Sequence, residues 1–300
     1  MKLTASEMND ILDTYLGVFE EDRDVVAIEF EFGDDGDILA IRIKHRDPAN
    51  AKISEPFLKS DDRAPGLPVK LVASDEIVEE IGGPNDTPLI DKSDSAQSAG
   101  MAGTTVREGG YWGTLSLYGG SIRIAHDSIA CEVDGPFLLS NSHVMHAAGR
   151  TVQSDDYEDI GTVDRVGDLE GRITFDAGVA RAHPDLKASH NFLVFSADGQ
   201  PKKIVGLRTV EPGISIAKQG ARTGWSSGRS TGPARIRVRG HKAIYPCWGG
   251  TYRAKGGDSG SPVLHQDQDG WYLVGIHFAS GPYYHSWDNA DISAEPLPAT

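Results

Sequence analysis

Beyond residue 100 the chain reads as one short strand-like run after another: "GTLSLYGG", "SIRIAH", "SIACEV", "PFLLS", "GRITFDAGVARA", "KKIVGL", "SIAKQG", "ARIRVRG" and "WYLVGIHFA". Turn residues separate the runs, and no helix-period stretch comes between them. Such a density of strands predicts a barrel or a sandwich. The 35 glycines and 16 prolines fit a β-rich chain that needs many tight turns. Three hundred residues suffice for one large or two ordinary domains, each with its own core. No fixed internal repeat is evident.

The first eighty residues differ. Met8, Ile11, Leu12, Tyr15, Leu16 and Phe19 recur at helical spacing, and Thr4 with Glu7 supplies a capping-box start. "VVAIEFEF" and "ILAIRIKH" alternate on either side of "GDDGD", which predicts a β-hairpin, and "PVKLVAS" adds a strand. Asp34, Asp35 and Asp37 lack the later glutamate and flanking helices of a calcium loop and read as a solvated turn. This unit ends near Ile81. "GGPNDTPLIDKSDSAQSAG" has the composition of an exposed linker. The expected organisation is a small α+β unit over 1–81, a linker over 82–100 and a β domain over 101–300.

A formal net charge of −15 argues against general affinity for nucleic acid or anionic membranes. No apolar run approaches the ~20 residues of a membrane span, and "MKLTASEMND" lacks the apolar core of a signal peptide, so the expectation is a cytoplasmic protein. For the same reason "NDT" at Asn85 is a glycosylation sequon on paper only. Cys131 and Cys247 are too few for a disulfide-stapled scaffold; they could form one bridge, but two buried reduced thiols is the preferred reading.

"GGDSGSPV", Gly256 to Val263, is either a nucleophile in an anion-holding turn or a glycine-rich bend between strands. Serine attacks a carbonyl only when a histidine accepts its proton, and a carboxylate fixes that histidine's tautomer. His143 follows an apolar strand on a turn of small polar residues, in "PFLLSNSHVM". His146 lies close by, but no Cys or carboxylate at ligand spacing completes a zinc site. Asp176 interrupts the apolar "GRITFDAGVARA" and needs a hydrogen-bond donor if buried. An imidazole N–H is one such donor.

"LLSNSHV", "FDAGVA" and "GGDSGSPV", in that order, resemble the catalytic blocks of chymotrypsin/trypsin-like serine peptidases of bacterial type, over roughly residues 103 to 295. "ARTGWSSGRSTGPARI" resembles the hairpin that precedes their nucleophile. The resemblance implies a mainly β fold, a chymotrypsin-like double β-barrel here preceded by the small α+β unit. It also implies a serine endopeptidase that works without metal or cofactor on protein or peptide substrates. Ser259 would be the nucleophile, His143 the base and then the acid, Asp176 the orienting carboxylate, and the N–H groups of Gly257 and Ser259 the oxyanion hole. An α/β-hydrolase elbow is excluded by Ser261 in place of glycine and by the histidine preceding the serine. A catalytically silent peptide-binding module is the alternative.

In this family the specificity pocket lies between the segment before the nucleophile, here "YRAKGG", and a later strand, here "GIHFASG". Arg253 stands where trypsin-like pockets carry aspartate, so a preference for Lys or Arg is not implied. His277 resembles the histidine of glutamyl endopeptidases. That implies Glu, Asp or Gln before the scissile bond, with His277, Arg253 and Ser280 in the substrate-binding set. The other reading of His277 is a strand histidine satisfied by a backbone carbonyl. No "IVGG"-like activation sequence opens the domain, so Asp258 needs some other buried partner. Residues 1–81 would regulate, assist folding, dock a partner or simply pack on the barrel. "RIRVRGHK" puts Arg235, Arg237 and Arg239 on one strand face, expected to be solvated.

Overall fold

The computed structural model describes residues 2–33, 36–58, 66–80, 82–83, 100–186, 190–196, 198 and 200–298. The N-terminal helix forms as two pieces, α1 (Ala5–Thr14) and α2 (Val18–Glu21), with Thr4 and Glu7 closing the capping box. Met8, Leu12, Tyr15 and Phe19 enter one core with Ile28, Phe30, Ile41 and Ile43. Those last four belong to the hairpin strands β1 (Val25–Phe32) and β2 (Ile38–His45), whose alternation sends one face inward. β3 (Val69–Ala73) adds parallel to β2. Asp34, Asp35, Asn85 and linker residues 84–99 lie outside the described residues.

The rest is two sheets. The eight-stranded one runs β19 (Asp291–Glu295), β6 (Leu117–His126), β7 (Ile129–Ser140), β10 (Gly178–Ala182), β9 (Asp159–Val166), β8 (Thr151–Gln153), β4 (Thr105–Glu108) and β5 (Tyr111–Thr114). The second contains β11 (Leu193–Phe195), β12 (Pro201–Leu207), β17 (Trp271–Ala279), β16 (Pro262–Gln266), β13 (Ser215–Gly220) and β14 (Gly224–Arg237). β15 (Ile244–Gly250) and β18 (Tyr283–Ser286) pair with β14 and β17, and with each other. Leu117, Phe137, Leu139, Phe175 and Val179 from the first half pack with Leu264, Leu273 and Ile276 from the second in one buried cluster. The described residues are thus mainly β: two sheets that share a core, with short helices and a hairpin at the N-terminal end. Among the described residues no helix is long and apolar enough to cross a membrane. Cys131 and Cys247 are not bridged.

The α+β unit is joined to the second sheet by backbone pairing. β1 runs antiparallel to β14, with Ala27 opposite Ile236 and Glu29 opposite Ala234, so β1, β2 and β3 extend the second sheet. This corrects the expectation of a solvated face for Arg235 and Arg237, while Arg239, just past the end of β14, is exposed. Arg235 is buried, and its Nε donates to Asp13 of α1 at 2.8 Å. Arg237 donates to the Phe19 carbonyl and lies over the Phe19 ring, 5.1 Å from guanidinium carbon to centroid. The two guanidiniums fasten the helical layer to β14.

Candidate active site

Each small residue of "SNS" holds the loop that carries His143. Ser140 Oγ donates to the Thr114 carbonyl at 2.7 Å, Asn141 Nδ2 to the Asp176 carbonyl at 2.7 Å, and Ser142 Oγ to the Ala177 carbonyl at 2.6 Å. The turn Ser142–Met145 then leaves His143 facing Asp176. Nδ1 of His143 lies 2.5 Å from Asp176 Oδ2, and the His143 backbone N–H donates to Oδ1 at 3.2 Å. Burial by itself would lower the His143 pKa, but the charges of Asp176 and Glu79 outweigh it and hold the imidazole above the ordinary histidine value. Burial would likewise raise Asp176, and the charge and hydrogen bond of His143 hold it below the usual carboxylate value.

A third layer lies behind the pair. The Asp176 backbone N–H donates to His285 Nε2 at 3.1 Å. Burial lowers the His285 pKa to about 4, so the ring is neutral at physiological pH. With Nε2 accepting, Nδ1 carries the proton and faces the Pro246 carbonyl at 3.2 Å. The ring stacks on Phe278 with centroids 4.1 Å apart.

The Ser259 turn is built around Asp258. Asp258 Oδ2 pairs with Lys218 Nζ at 2.8 Å, both side chains fully buried. The same carboxylate accepts the backbone N–H groups of Arg222, Thr223 and Lys255, each at 3.0 Å, and Thr223 Oγ1 at 2.7 Å. Lys218 is the buried partner that the missing activation sequence leaves open. Gly257 sits at φ 99°, and a Cβ there would fall 2.3 Å from the Trp112 ring, so only glycine serves. That conformation points the Gly257 N–H in the same direction as the Ser259 N–H. Both donate to a single oxygen, the Glu80 carbonyl, at 2.5 and 3.1 Å.

Glu80 belongs to a short extended segment lying through the site. Val78 accepts from Ser280 N–H at 2.9 Å and donates to Ser280 Oγ at 3.0 Å, while Glu79 forms an antiparallel bridge with Ala279. Beyond Glu80, Gly82 exchanges backbone hydrogen bonds with Trp112 at 2.8 and 3.1 Å. The Glu80 side chain is buried, with its Oε2 2.6 Å from His277 Nε2. His277 Nδ1 is 3.1 Å from the Tyr252 hydroxyl. Burial holds the Tyr252 pKa well above the ordinary tyrosine value, so the hydroxyl keeps its proton and can donate to Nδ1. His277 Nε2 is then left to donate to the carboxylate. A neutral imidazole satisfies both contacts.

The expected site residues therefore come together unevenly. His143 and Asp176 are joined, Gly257 and Ser259 supply convergent donors, and His277 and Ser280 line the cleft. Arg253 is exposed, its backbone N–H donates to Ser226 Oγ, and among the described residues no hydrogen bond or ion pair links its side chain to Glu80. Ser259 Oγ donates to the Phe278 carbonyl at 3.2 Å, and His143 Nε2 is buried without a hydrogen-bond partner. The serine and the histidine are thus not hydrogen-bonded while Glu80 fills the cleft.

No family model matches the chain, and no curated protein matches it. Solved structures do resemble it. A glutamic-acid-specific serine protease described as using a histidine triad in substrate binding has a TM-score of 0.49 at 14% identity, over 65% of this chain and 99% of its own. Thermobifida fusca protease A gives 0.48 at 18% identity over 66% and 98%, and Cellulomonas bogoriensis chymotrypsin 0.47 at 15% over 63% and 92%.

Four residues of the site escape sequence reasoning: Glu80, Tyr252, Lys218 and His285. Tyr252 is the neighbour of Arg253 in the irregular segment after β15, where no strand period tells which of the two side chains is buried. Lys218 stands in "SIAKQG" at an inward position, an unusual place for a lysine and the one signal that it has a buried partner. Glu80 and His285 carry no local mark.

Proposed function

We propose that this chain is a serine endopeptidase that cleaves peptide bonds through an acyl-enzyme, with glutamate preferred before the scissile bond. The observation that carries this reading is a single peptide carbonyl oxygen held by two convergent N–H groups beside Ser259. Donors so aimed stabilise the oxyanion of a tetrahedral intermediate, and losing one typically costs ~2.7–4 kcal/mol of transition-state stabilisation. His143, oriented by Asp176, has its Nε2 free to take the Ser259 proton and later protonate the leaving amine. The preference follows from the pocket chemistry, in which His277 Nε2 meets a carboxylate and Tyr252 fixes the tautomer.

The second reading, a silent peptide-binding module, draws on the Ser259 hydroxyl being turned to the Phe278 carbonyl. A fluorophosphonate probe separates the two. Labelling of Ser259 that is lost in Ser259→Ala and in His143→Ala is expected; folded protein that never labels identifies the binder. A peptide-library profile without enrichment for acidic residues would remove the specificity claim. Tyr252→Phe tests the pocket more finely. The hydroxyl to His277 contributes the ~0.5–1.5 kcal/mol of a typical hydrogen bond. KM for Glu-containing peptides should therefore rise roughly three- to tenfold with kcat little changed, and an unchanged KM would show that the tautomer is not set by Tyr252.

A further inference from the structure

We infer that the peptide bond following Glu80 is this protein's own substrate, cut in cis by Ser259. The inference rests on the peptidase reading above and adds a processing site to it. Four observations converge on one bond. The Glu80 carbonyl oxygen takes both N–H donors of the Ser259 turn. The Glu80 carboxylate occupies the pocket under His277. The residues before it pair antiparallel with Ala279 and Ser280, and Gly82 pairs with Trp112, so the chain is gripped on both sides of the bond. Gly82 itself is demanded by this seat, because a Cβ there would lie 2.1 Å from the Trp112 ring. A segment that merely crossed the cleft would need no particular side chain in the pocket and no particular carbonyl at the donors.

In the reaction, Ser259 Oγ bonds to the Glu80 carbonyl carbon as its proton passes to His143 Nε2. The carbon–nitrogen bond then breaks, and His143 returns the proton to the departing amine of Ile81. A water molecule, deprotonated by His143, hydrolyses the Glu80 ester and regenerates Ser259. One water is consumed, giving a carboxylate on Glu80 and an amine on Ile81. The movement required first is rotation of the Ser259 hydroxyl from the Phe278 carbonyl toward His143. The N-terminal product does not fall away, since β1 stays paired with β14 and Asp13 with Arg235. Asp258 has no need of the new amine, as Lys218 already neutralises it.

The test is mass spectrometry of the purified full-length protein under denaturing and native conditions. Wild type should convert to two fragments divided after Glu80, with a native mass raised by one water. The conversion should be first order and independent of protein concentration, as a cis reaction requires. Ser259→Ala should remain one chain, and active wild type added to it should leave it uncut. Glu80→Lys, confirmed as folded by circular dichroism, should also stay uncut while its Ser259 is labelled by fluorophosphonate. Labelled or peptide-cleaving protein whose Glu80 bond stays intact would overturn self-cleavage and leave the peptidase reading standing. Cutting only at another bond would have the same effect. An intact wild-type bond together with no labelling of any folded variant would overturn both.

Discussion

Asp176→Asn is expected to lower kcat on a glutamyl peptide by about four orders of magnitude while leaving the fold intact. The reason lies in which oxygen does what. Oδ1 of Asp176 accepts the His143 backbone N–H, so an amide at this position puts its own oxygen there and its NH2 against Nδ1. Nδ1 must then accept, the ring proton moves to Nε2, and Nε2 no longer takes a proton from Ser259. The pH profile should change as well. In the wild type, His143 titrates above the ordinary 6.5 because Asp176 and Glu79 outweigh burial, and only its neutral form is a base. Activity therefore rises with pH through that elevated value. In the variant the elevating charge is gone, so the residual activity rises at lower pH. Steady-state kinetics across pH, with thermal unfolding as a control for folding, gives the answer; a loss of less than tenfold would mean that Asp176 does not set the tautomer.

Lys218→Met should destabilise the protein by about 3–5 kcal/mol, the usual penalty for leaving one member of a buried pair alone. Four hydrogen bonds to Asp258 survive the change, which favours the lower end of that range. In the wild type burial would raise Asp258, but Lys218 and Thr223 hold its pKa below the ordinary carboxylate value. Its stabilising contribution is thus present above the unfolded-state value and fades as pH falls through the depressed one. Without Lys218 the largest lowering influence is gone, so the folded-state pKa of Asp258 rises relative to the wild type and its ionised form contributes less stability. The difference between the two proteins should be largest near neutral pH and narrow on acidification, as read from urea unfolding at several pH values. Because Asp258 lies between the two N–H donors, activity should fall further than stability alone explains. Equal stability at neutral pH would mean that the lysine is dispensable to the turn.

Local sequence determined much of this protein. Alternation in "VVAIEFEF" and "ILAIRIKH" specifies a hairpin because its period of two matches the pleat, and Thr4 with Glu7 starts a helix by satisfying its free amides. "LLSNSHV", "FDAGVA" and "GGDSGSPV" are legible because each is a strand end or a turn whose small or glycine residues are needed where they stand, as Ser142 and Gly257 demonstrate. The tertiary structure alone decided what those turns meet. Pairing of β1 with β14 joins residues over two hundred positions apart, and strand pairing at that distance leaves no periodic mark in either partner. Lys218 rather than a freed amine neutralises Asp258, because the inward direction on β13 is set by its register in the sheet, and Tyr252 rather than Arg253 meets His277, because the irregular segment after β15 takes its course from tertiary packing. Glu80 reads locally as one more charge before a linker. It becomes the occupant of the cleft only because the α+β unit, fastened by Arg235 and β14, delivers its chain end across the face that holds His143, Ser259 and His277.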